Sequence, residues 1–94
     1  MARLVRFHPR YLKRAAAVGA SPGTPRAAAV GRAVNALTRA STLPTPFDYE
    51  ALLPPTSRAW VRRVPNENVW VWFTFDDDFI TVVAVTTQPP VPIE

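Results

Sequence analysis

The stretch VWVWFTFDDDFITVVAV, residues 69–85, places Asp76, Asp77 and Asp78 between two apolar runs. Consecutive carboxylates are hard oxygen donors of the kind that hold Mg²⁺ or Ca²⁺. Nothing close in sequence supplies further ligands, and aspartate favours turns by bonding its own backbone. The run is therefore read as a polar turn, and no metal is expected. His8 precedes a proline and has no carboxylate beside it, so it is read as a strand-end or capping residue rather than a base. Arg62 and Arg63 are planar cations suited to phosphate, but adjacent strand residues point to opposite faces, so at most one of them serves a given site. Charge protection of a sheet edge is the competing reading. Trp70 and Trp72 share a face by the same alternation, and are either core or a surface that meets a partner. The chain has no cysteine and one histidine, which leaves no disulfide framework and no zinc set. With three glycines it has no phosphate-cradling loop, so no nucleotide or other cofactor is expected.

Charge is divided unevenly along the 94 residues. Residues 1–47 hold eight cations (Arg3, Arg6, Arg10, Lys13, Arg14, Arg26, Arg32, Arg39) and no acid. Residues 48–94 hold three cations against seven acids. A first half at +8 suggests an anionic partner, either nucleic acid or an acidic protein. Its Arg- and Ala-rich composition also resembles a transit peptide. Without residues 1–45, however, only a hairpin and a tail would remain, too little to fold alone. No run approaches the roughly 18 apolar residues that span a bilayer. A cytoplasmic protein with no membrane contact is expected.

The elements that must position these residues follow from periodicity and punctuation. ARLVRF (2–7) reads as a short strand. Pro9 suits the first turn of a helix over about 9–18, with Tyr11, Leu12, Ala15 and Val18 on one face and Arg10, Lys13 and Arg14 on the other. Gly19 is a plausible stop. Thr24–Pro25 opens a second helix to about 41, with an Ala27, Val30, Val34, Leu37 stripe and with Arg32 and Arg39 two turns apart. Gly31 suggests close packing of the two helices. Residues 42–57 hold four prolines and read as a loop, with one helical turn at YEALL as an option. Strands follow at 58–64, 69–75 and 79–87, with turns at PNEN and DDD. QPPVPIE is a tail that proline keeps out of the sheet.

The expected architecture is a single α+β domain over 1–94, β-α-α-β-β-β. Its two-helix hairpin packs on one face of a mostly antiparallel four-stranded sheet. The other face, with Trp70 and Trp72, needs a cover: the 42–57 loop, the 88–94 tail, or a partner.

The element order, the size, RFHPRYLKRAAAV as strand running into helix, and RAWVRRVPNENVWVWFTFDDDFITVVAV as meander resemble the RelE/ParE family of bacterial type II toxin–antitoxin toxins. The resemblance covers about residues 3–87. It implies a cognate antitoxin that wraps the toxin, and an acidic segment would suit the basic half. Trp70, Trp72, Arg10, Arg14, Arg32 and Arg39 are the partner-binding residues it suggests. Many family members are metal-independent endoribonucleases that cleave mRNA on the ribosome. That role would assign Arg58, Arg62 and Arg63 to phosphate, and Glu50 and Tyr49 to proton transfer. The sequence departs from that pattern: VWVWFTF has no arginine, and TTQPP has no His, Tyr or Lys. The other branch of the family inhibits DNA gyrase through protein contacts and needs no such set. A small basic nucleic-acid-binding domain is a further alternative.

Overall fold

Both helices begin where the sequence caps them. In the computed structural model, which describes residues 3–53 and 57–92, β1 (Leu4–Phe7) runs directly into α1 (Pro9–Ala17). His8 Nδ1 accepts from the Arg10 amide at 3.1 Å and so caps α1, with Pro9 in the first turn. The far end of α1 closes through paired bonds, from Gly19 N–H to the Ala16 carbonyl and from Ala20 N–H to the Ala15 carbonyl. Gly19 takes the positive φ of 78° that this closure requires. Thr24 Oγ1 accepts from the Ala27 amide at 3.1 Å and opens α2 (Pro25–Arg39). A cap of this kind is worth about 1 kcal/mol.

Four strands follow: β2 (Tyr49–Leu53), β3 (Ser57–Arg63), β4 (Trp70–Phe75) and β5 (Phe79–Thr86). The sheet has five strands in the order β1-β5-β4-β3-β2, against the four expected. The extra strand lies inside the stretch read as a loop. YEALL is neither loop nor helical turn but pairs antiparallel with β3, Ala51 opposite Ala59. Five residues before a proline pair are too few for a helix to persist, whereas the open edge of β3 offers a ladder of bonds. Pro54, Pro55 and Thr56 lie outside the described residues. β1 pairs parallel with β5, and every other pairing is antiparallel.

Each face of the sheet carries a core. On one side Val71, Phe73, Ile80, Val82 and Val85 pack with Ala15 of α1 and Val30, Val34 and Leu37 of α2. On the other Ala51, Ala59, Val61, Trp72 and Ala84 form a second cluster. A bulge joins the two patterns. Trp72 faces Ala84 while Phe73 faces Val82, so Val83 is an extra residue in β5. The parity of β5 therefore switches, and both Val82 and Val85 reach the helix side.

Two packing expectations are corrected. Helical spacing groups Leu12 with Tyr11, Ala15 and Val18, but it is 68% exposed. It stands one residue, about 100° of helix, round from Tyr11, and turns off the buried face. Gly31 does not mark close packing, since a Cβ added there meets nothing within 4 Å. α1 rests chiefly on β5, while α2 contacts β5, β4 and β1. Among the described residues, no helix is long and apolar enough to cross a membrane.

Candidate functional site

The residues singled out for RNA chemistry come from β2 and β3, and register fixes their faces. Glu50 lies opposite Trp60, and Trp60 packs on the helix-side core. Arg58 and Arg62 share the parity of Trp60. Tyr49 lies opposite Val61, in the cluster on the other side. Arg63 shares that parity and lies opposite Trp70. The five are thus divided between two faces of one sheet.

Three of them have structural occupations. Arg62 Nε and Nη2 donate to the two Asp48 carboxylate oxygens at 2.6 and 2.8 Å, and Nη2 also donates to Thr45 Oγ1. Thr45 donates to Asp48 through both its amide and its hydroxyl. The Asp48 side chain is wholly buried, so this fork is an internal clamp that ties the loop before β2 onto β3. The Tyr49 hydroxyl donates to the Pro90 carbonyl at 2.9 Å, and burial raises its pKa. That shift keeps the phenol protonated, the opposite of what a base at neutral pH needs. The Arg63 guanidinium lies 5.8 Å from the Trp70 ring centroid. Arg58 is exposed on β3.

The tryptophan face has its own cover. Trp72 is only 4% exposed. Its Nε1–H donates to Thr86 Oγ1 at 3.0 Å, and that hydroxyl in turn donates to the Gln88 carbonyl at 3.3 Å. From there the tail crosses the sheet. Pro90 is buried and held by Tyr49, and Pro92 makes an antiparallel bridge with Ala51 on the outer edge of β2. The tail therefore meets the sheet after all, through this one bridge at the edge of β2. Ala51, Ala59 and Ala84 are small enough to let the indole and the strap lie close to the backbone. Trp70 is buried as well, opposite Arg63 and Thr86. Ile93 and Glu94 lie outside the described residues.

The cations proposed to meet a partner are dispersed. Arg14 lines a recess of about 790 Å³ beneath the tail, together with Val18, Val85 and Pro89. Arg32 borders a small hollow with Arg62 and Asn66. Arg39 is exposed in the last turn of α2, and Arg10 is half-buried in the first turn of α1. Asp76 works as a turn former, its Oδ1 accepting from the amides of Asp78 and Phe79. Those two bonds, and more weakly Arg6 and Arg3, hold its pKa below the usual carboxylate value. Among the described residues, no group of three potential ligands is placed to hold a metal.

A surface that periodicity missed lies at the other edge of the sheet. Leu4, Val5, Phe7 and Leu12 are all exposed, at 66%, 38%, 50% and 68%. Phe7 packs against Tyr11 with centroids 5.0 Å apart and ring planes tilted by 44°. Val5, Phe7, Tyr11 and Leu12 form one wall of a groove of about 800 Å³, and Val34 and Gly31 of α2 form the other. The available signal was the composition of β1, apolar at both parities in a four-residue strand, which a half-buried strand does not need. Comparison with family models, curated proteins and solved structures found no match.

Proposed function

We propose that this protein is the toxin of a bacterial type II toxin–antitoxin pair of the RelE/ParE kind, and that it acts on its target by binding rather than by cutting RNA. The element order that carries the resemblance supports the first part: a strand running into a helix pair, then a meander with an acidic turn. One observation carries the second part. The five residues available for RNA chemistry divide between two sheet faces, and Arg62 and Tyr49 are spent on internal bonds. Metal-free cleavage needs a base, an acid and a cation around one phosphate. A protein-directed inhibitor such as a gyrase poison needs only a shaped surface, and a cognate antitoxin then acts by covering it.

The test is induced expression in a bacterial host, with growth and pulse-labelled DNA and protein synthesis followed together. Falling DNA synthesis with filamentous cells is the expected result. A rapid fall in protein synthesis with new mRNA ends would return cleavage to the front. Normal growth would overturn the toxin reading.

A further inference from the structure

The free side of β1 is a strand edge beside an open groove. β1 has one neighbour in the sheet, β5. The amides of Leu4 and His8 donate to the Asp78 and Val82 carbonyls of β5's side. In an extended strand, alternate residues direct their main-chain groups to opposite sides. The N–H and C=O groups of Val5 and Phe7 therefore face away from β5, toward the groove edge. At the start of the strand the Arg3 amide already uses that outer side, donating to the Thr38 carbonyl of α2 at 2.9 Å. An edge with apolar residues, no proline and, beyond Arg3, no covering element among the described residues invites another strand.

Charge selects the occupant. β1, α1 and α2 contain no acidic residue. Arg3 sits at one end of the groove. Arg6, midway along β1, lies with its guanidinium carbon 4.0 Å from the centroid of Phe79. Arg6 and Leu4 share one face of β1, and Val5 and Phe7 share the face toward the helices. A second copy of this chain would bring a second set of cations, Arg3 and Arg6, to the same short edge with no acid to meet them, which opposes self-pairing.

We propose that the β1 edge and its groove bind an extended partner segment in which apolar and acidic residues alternate. Its backbone pairs with Val5 and Phe7. Its apolar side chains enter the groove beside Val5, Phe7 and Leu12, and its carboxylates lie beside Arg6. The proposal deepens the toxin reading, on which it rests for the partner's identity, by giving the silencing protein a seat. That seat is distinct from the Trp72 face.

The test uses the full chain, labelled with ¹⁵N, and three short synthetic peptides. One alternates glutamate with valine and leucine. The second has lysine for glutamate. The third is the first peptide N-methylated on alternate amides. The glutamate peptide is expected to shift the Val5 and Phe7 amides and slow their exchange, and to bind at least about tenfold tighter than either control, a gap of 1.4 kcal/mol. Gly31→Leu places a side chain in the groove at a position where an added Cβ meets nothing within 4 Å, and should lose at least about tenfold in affinity with no fall in melting temperature. Equal binding of the lysine or N-methylated peptide overturns the proposal. So does a response at the Trp72 indole in place of Val5 and Phe7, or concentration-dependent dimerisation that protects β1 in the free protein. Growth arrest by the wild-type chain is scored separately. Its loss sinks the toxin reading alone, and peptide failure beside intact growth arrest sinks this seat alone.

Discussion

The covered face around Trp72 and the open edge at β1 are both apolar, yet they have opposite fates. The first contains the most conspicuous aromatic pair in the chain, and the protein buries it under its own tail. The second is built from ordinary aliphatics and one phenylalanine, and nothing among the described residues covers it. The difference lies in what each region can reach. Trp72 is central in the sheet, within a few residues of a tail that leaves β5 and crosses toward β2. β1 stands at the far edge, where an open groove separates it from α2. The strand tryptophans therefore locate the core here, while the exposed apolar residues of β1 and α1 locate the docking surface.

The largest contrast comes from truncation. Trp72→Ala should cost about 3–5 kcal/mol in urea unfolding, from lost burial and the lost bond to Thr86, whereas Leu12→Ala should stay within about 0.5 kcal/mol. Equal effects would erase the distinction between the two regions. Asp48→Ala leaves the Arg62 cation without its buried partner and should cost about 3 kcal/mol or more by the same measurement. Tyr49→Phe removes the bond to Pro90 and should cost about 1 kcal/mol, with a red shift of tryptophan emission as the strap loosens. The wild-type strap should loosen likewise in alkali. Its raised tyrosine pKa contributes stability that is complete below the ordinary value near 10 and is lost as pH rises through the higher folded value. On the open side the sign reverses: Gly31→Ala should stabilise by about 0.5–1 kcal/mol in thermal melts, because helix propensity improves and nothing is displaced. The smallest effect belongs to Asp76. Its lowered pKa gives the β4–β5 turn a stabilisation that is full above the ordinary carboxylate value near 4 and fades as pH falls through the lower folded value, seen as earlier exchange of the Asp78 and Phe79 amides.

Local signals carried much of the fold. Thr24–Pro25 and His8–Pro9 fixed where the helices start, Gly19 where the first one stops, and the alternation in VWVWFTF which residues face the helices. What escaped was non-local. Five residues of YEALL hold no periodicity long enough to separate strand from turn, and their pairing depends on β3. The Ala51–Pro92 bridge depends on the whole width of the sheet. The site was less legible for the same reason. Arg62 reads as a free cation until Asp48, fourteen residues earlier, is brought against it. Leu12 reads as core until the helix is seen to turn it outward.

The parallel pairing of β1 with β5 also sets an order of assembly. Leu4 leaves the ribosome well before its strand partner Phe79, because three strands and both helices lie between them in the chain. The β2–β5 meander can close through short turns, while β1 must wait for a loop that encloses both helices, and such closure is slow. During synthesis, then, the apolar strand β1 stays without its sheet until β5 has been made.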